Sequence, residues 1–205
     1  MAVTDPLATL DDYAAVFPNR DRSDEVELLH TLTAVSRYVE SQQVCGQQFT
    51  KDAAAVVRIF KPEVATSELW LGTNLAANPT QIRLDTANAG TYATTLSSTN
   101  WELWPLNAAD GPEPRPYRRI DLLPWGTYTS FAANQRVEIT AVWGWPTVPE
   151  IVRLAVIHLT AIVRLESPRS TTRVDELGSV IGMSAQARDI ISNLLAAHPR
   201  QPAIA

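Results

Sequence analysis

Cysteine is almost missing from this sequence: Cys45 is the only one in 205 residues. That excludes an intrachain disulfide and a cysteine-built metal cluster, and leaves a buried, reduced thiol as the expectation. Histidine is scarce too. A hydrolytic nucleophile needs an oriented base, and the three candidates are His30, His158 and His198. The first two fall in helical segments and the third adjoins a proline-bearing tail. His158 shares a helical face with Leu154, Ala155, Ile162 and Leu165, so it reads as a core or interface histidine.

Glycine-bearing signatures of phosphate and dinucleotide sites are absent, and so is a His-Glu-x-x-His zinc helix. Gly178-Ser179-Val180-Ile181-Gly182 does not make a nucleophile elbow, because that turn needs glycines two residues to either side of the serine. The acid pairs Asp11-Asp12 and Asp175-Glu176 read as caps or solvated charges. The expectation is a protein that is not an enzyme and carries no cofactor and no metal.

Positive charge is in short supply. With 17 basic against 22 acidic side chains the net charge is −5, so no broad cationic field is available to neutralise a phosphate backbone. Tight direct nucleic-acid binding is not expected. Long apolar runs are missing as well: none approaches the roughly 18 residues of a membrane helix. The opening Met-Ala-Val-Thr-Asp has neither a basic region nor an apolar stretch. A chain that stays in the cytosol, away from membranes, is the expectation.

What is present is ordinary for a folded globular protein, 45% apolar and 19% charged, in a length that suits one substantial domain or two small ones. Leu10, Tyr13, Val16 and Phe17 behind Thr9 predict a short helix stopped by Pro18. Leu28, Leu32, Val35 and Val39 predict a long amphipathic helix from about Asp24 to Val44, with Gly46 as terminator. From Ala54 to Val142 the period changes to two: Val57 and Ile59, Ile82 and Leu84, Ile120 and Leu122, then Val137, Ile139 and Ala141 alternate with polar residues, as half-buried strands do. Turn-rich stretches such as Asn107 to Pro116 favour antiparallel pairing.

Six tryptophans interrupt this pattern. Trp143 is in phase with Val137, Ile139 and Ala141 and should point to the core. Trp101 and Leu103 share one face while Trp104 takes the other, so one of that pair of tryptophans is open to solvent, where an aromatic face can meet a protein or a ligand. The helical period returns after Pro146. Thr147 followed three residues later by Glu150 fits a capping box, with Pro149 in the first turn. Eleven of the seventeen residues from Glu150 to Glu166 are apolar, so more than one face of that helix must be covered. Residues 167–183 show neither period, a final helix runs from Ala185 to Ala197, and a short tail follows.

Three segments together resemble the head-to-tail adaptor, or connector, family of long-tailed bacteriophages. One is Val39-Glu40-x3-Val44-Cys45-Gly46-x2-Phe49, similar to the close of the family's first long helix, with Gln47 in place of the usual arginine. Another is Val137-Glu138-Ile139-Thr140 running into Trp143-Gly144-Trp145-Pro146-x-Val148-Pro149, similar to the corner before the family's core helix. The last is the glycine-containing loop and terminal helix from Gly178 to Leu195. The likeness spans about Thr9 to His198, by pattern more than by residue across the β region.

The resemblance implies an α+β chain with a mainly α-helical core, a helix bundle of the head-tail connector type, carrying an inserted antiparallel β unit. Residues 1–50 would give the first core helices, 51–146 the β insertion, 147–198 the last core helices with their connecting loop, and 199–205 a tail. It implies a structural virion protein at the head-tail interface, made in the host cytoplasm. The subunit forms a ring, of twelve copies in the virion, beneath the portal protein; it extends the channel through which DNA passes without sequence-specific binding, and it offers a platform to a neck, stopper or tail protein. On that reading Arg164, Arg169, Arg173, Arg188, Ile190, Ile191, Leu194 and Leu195 are candidates for the portal or subunit interface. Trp143, Gly144, Trp145, Pro146, Thr147 and Glu150 form the structural corner. The alternative is a carbohydrate-binding β module with helical flanks, for which the tryptophans are the motive.

Overall fold

A computed structural model describes residues 5–18, 24–41, 43–110, 113–166 and 185–198. The chain divides into two compact units, Met1–Thr50 with Val148–Ala205, and Lys51–Thr147. The expected loop 167–183, with Arg169 and Arg173, and the tail 199–205 lie outside the described residues.

In the first unit α1 (Leu10–Val16) starts at Thr9, whose hydroxyl accepts from the Asp12 amide while the Asp12 carboxylate takes the Thr9 amide. Two of the amides left unpaired at the helix start are thereby satisfied. α2 (Glu25–Glu40) is capped by the Asp24 carboxylate and buries Leu28, Leu32, Val35 and Val39 along one stripe. It ends at Glu40, earlier than the expected Val44. Ser41 turns back onto the Tyr38 carbonyl, and Val44 and Cys45 are buried in a non-helical loop. α3 (Glu150–Glu166) touches α1, α2 and α4 (Ala185–Ala197). Three neighbours are what its nearly all-round apolar surface calls for: Val152, Ala155, Val156, Ile157, Leu159, Ala161, Ile162 and Val163 are all buried.

An ion pair ties α1 to α3. Arg153 donates to Asp12 and to Glu150. Burial alone would raise the Asp12 pKa, but the Thr9 amide and hydroxyl together with the Arg153 charge outweigh it and hold the carboxyl below its usual range. A depressed folded-state pKa stabilises the protein above the unfolded value of about 3.9, and that contribution is lost as pH falls through the folded value. Asp12→Asn should therefore flatten the acid limb of a stability-against-pH curve below about pH 4 and leave the neutral-pH shape alone. An acid limb identical to the parent's would show that the pair contributes nothing.

The second unit is two antiparallel sheets. β1 (Val56–Phe60), β7 (Arg136–Ala141), β3 (Gln81–Asp85) and the short β4 (Thr94–Thr95) lie side by side in that order; β2 (Glu68–Leu75), β6 (Tyr117–Leu122) and β5 (Trp101–Trp104) form the other sheet, with β6 in its centre. Leu69, Leu71, Leu103, Ile120 and Leu122 of one sheet join Ile82, Leu84, Val137, Ile139, Ala141 and the following Trp143 of the other in a single core. Alternate residues of β3, β5, β6, β7 and the first half of β2 are thus taken inside, as the alternation predicts; β1 departs from it, since Val57 and Ile59 are exposed while Arg58 and Phe60 lie against Trp143. The loop after β3 is closed by the buried Asp85, whose carboxylate accepts from the Ala89 and Gly90 amides.

The expectation of a mainly helical core is overturned. Helices take 31% of the chain and strands 23%, and the strands dominate the core. The reason is geometric. Two facing sheets bury alternate residues of every strand against each other, and most of the largest fully buried side chains among the described residues lie there, including Trp143, Phe131, Leu71, Leu75, Ile82, Leu84, Ile120 and Ile139. The β-rich part is a body with its own core, not an appendage on a bundle.

Candidate functional site

The corner from Trp143 to Glu150 is built from several anchors. The Trp143 indole is fully buried, donates through Nε1 to the Val56 carbonyl at 2.8 Å, and lies 5.6 Å from the Phe60 ring and 4.7 Å from the Arg58 guanidinium. Its carbonyl accepts from the Asp52 amide at 2.8 Å. Gly144 has φ 106, where a Cβ would be strained, and its amide donates to the Asn74 carbonyl. Trp145 is buried as well. α3 then starts at Glu150, with the Pro149 carbonyl accepting from Val152 and Arg153. The Glu150 carboxylate is held by Arg153, three residues on in the same helix.

The interface residues expected from the resemblance are distributed over α3 and α4. Arg164 is half-buried near the end of α3 and Arg188 is exposed on α4. Leu194 is fully buried in its own unit, while Ile190, Ile191 and Leu195 are half-buried and retain some surface. Arg169 and Arg173 lie outside the described residues. His158 stacks edge-on to Phe17, and His198 to Phe49, each at 5.5 Å, which occupies both rings in packing.

The arrangement that sequence reading missed is on the outer face of the β2-β6-β5 sheet. Pairing places Trp70 opposite Arg119 on one side and Trp104 opposite Arg119 on the other. The Arg119 guanidinium sits 5.1 Å from the Trp70 ring and 4.9 Å from the Trp104 ring. One row away, Glu68, Asp121 and Glu102 face each other across the same three strands. Arg119 donates to Glu68 at 3.0 Å and to Asp121 at 2.7 Å. Burial pushes the Asp121 carboxyl above its usual pKa, opposed by the Arg119 hydrogen bond and charge and assisted by Glu68. The face is therefore an aromatic, cation, aromatic ladder beside a row of carboxylates. Trp70 is 64% exposed and Trp104 42%, far more than packing of the sheet requires. The alternation around Trp101, Leu103 and Trp104 was the available signal, and the structure leaves Trp104 as the outward ring.

Among the described residues no group of three or more His, Cys, Asp or Glu is placed to hold a metal ion, and no helix is long and apolar enough to cross a membrane. Compared with known proteins, the chain matches no family model and no curated sequence.

Proposed function

We propose that this chain is a head-to-tail adaptor of a long-tailed bacteriophage: a structural virion protein that forms a ring of twelve copies under the portal, lengthens the DNA channel and receives a neck or tail protein. It performs no catalysis and uses no cofactor in this role. The observation that carries the reading concerns the first and last resembling segments, which are distant in sequence yet, among the described residues, come together in the helical unit. The loop ending the first segment brings Phe49 onto His198, three residues past the last, and α2 and α4 both pack on α3, the helix that follows the tryptophan corner. The net charge of −5 suits a conduit, since attraction to phosphate would slow the passage of DNA.

Cryo-electron microscopy of the purified chain, alone and mixed with portal rings of the phage that encodes it, tests the proposal. A twelvefold layer on the portal is the expected image, formed with portal and not without it. Portal rings that stay bare at high adaptor concentration would sink the reading.

A further inference from the structure

Each end of the ladder carries a tryptophan with one indole face against Arg119 and the other turned away from it. On each outer strand a glutamate precedes the tryptophan by two residues and so shares its side of the sheet: Glu68 before Trp70, Glu102 before Trp104. The face thus holds two matching pairs, each an open aromatic surface beside a carboxylate. They lie on strands two apart, about 10 Å from one another.

An aromatic face next to a carboxylate is the setting that seats a guanidinium, which stacks on the ring and forks onto the oxygens. The charge balance points the same way. Three carboxylates in the row face a single guanidinium; Arg119 is shared between Glu68 and Asp121, and Glu102 makes no ion pair among the described residues. The face is short of positive charge and rich in the side-chain types that dominate protein hot spots.

We propose that the Trp70, Arg119, Trp104 face is a docking surface for a segment of a partner protein that presents two arginines, one to each tryptophan and glutamate pair, so that cation and ring continue to alternate beyond Arg119. Arginine is favoured over lysine because its planar group both stacks and forks. A nucleic acid would meet the acidic row as a repulsive surface. A sugar needs indole rings spread along the sheet, whereas each of these rings is stacked on a guanidinium rising from the strand between them. The inference stands on this face alone and holds whether or not the chain is a phage adaptor.

The test is fluorescence anisotropy of a labelled Arg-Ser-Gly-Ser-Arg peptide, whose arginines leave the same side of an extended chain about 13 Å apart, titrated with the whole chain at low and high salt. Saturable binding is expected, weaker for the Lys-Ser-Gly-Ser-Lys peptide and absent for the Glu-Ser-Gly-Ser-Glu one. Glu102→Gln and Trp104→Ala should each weaken it about tenfold, and Asp189→Asn, an exposed acid on α4, should leave it unchanged. Glu102→Gln keeps the size and shape of the strand residue, so its result stands even where Trp104→Ala fails to fold. Binding indifferent to Glu102→Gln, or equal for all three peptides, would overturn the proposal. So would saturable binding of a cello-oligosaccharide or a single-stranded oligonucleotide that the same two substitutions abolish.

Discussion

Trp143→Ala should destabilise the β-rich unit by about 3 to 5 kcal/mol, the range for removing a large aromatic side chain from a packed core. Three losses combine. The indole leaves a void in the core it shares with Ile139, Ala141 and Leu75. The Val56 carbonyl loses the donor that tied the first strand to the corner. The Arg58 guanidinium, whose pKa burial already lowers, loses the ring it lies over and keeps Asp52 as its counter-charge. Denaturant unfolding followed by tryptophan fluorescence and circular dichroism would measure the change. Trp143→Phe should cost less, because much of the volume stays and only the Nε1 donor goes. A loss under about 1 kcal/mol for the alanine variant would mean that the core refills the space, contrary to the usual partial relaxation of such sites.

Glu40→Ala should be the most damaging single change in the helical unit outside its apolar core, at about 2 to 4 kcal/mol. The Glu40 carboxylate accepts from the Phe49 amide at 2.8 Å, the Thr50 amide at 3.1 Å and the Thr50 hydroxyl at 3.2 Å, and it pairs with Arg37. Phe49 is fully buried, so its amide has no ready access to water once the acceptor is gone, and an unmet buried donor carries the whole desolvation penalty. Glu40→Gln keeps one acceptor oxygen and should recover part of the loss. A thermal melt in which Glu40→Ala and Glu40→Gln coincide would show that the loop is held by Phe49 packing instead. Glu40, Val44, Cys45 and Phe49 belong to the first resembling segment, and these hydrogen bonds give that pattern a mechanical reason: the acid pins the loop that carries the phenylalanine inward.

Much of the local structure was legible in the sequence, since period alone placed α2, α3 and α4 and set the inward residues of β3, β6 and β7. Trp143 was read as buried from its phase with Val137, Ile139 and Ala141, and it is. Two things were not legible. The balance of the core was misjudged because an apolar helix such as α3 advertises burial in every turn, while a strand shows it only in alternate residues. Seven short strands in two facing sheets nevertheless hold more of the buried bulk. The ladder was hidden for another reason. Alternation shows that Trp70, Trp104 and Arg119 each avoid the core side, but their meeting depends on the order β2-β6-β5 and on the register of both pairings. Neither is written in any single stretch of chain.

The first and last strands of the β-rich unit are partners: Val56 to Phe60 pairs residue by residue with Ala141 to Val137, and the Asp52 amide reaches the Trp143 carbonyl. The segment therefore begins and ends at the same place, zipped shut at its own base. A unit closed in this way is a cassette. It can be lifted out and its two cut ends bridged by a short linker, or exchanged for another body with neighbouring termini, without asking the helices on either side to change their spacing. Sequence variation can then accumulate in one module while the helices that carry it stay as they are.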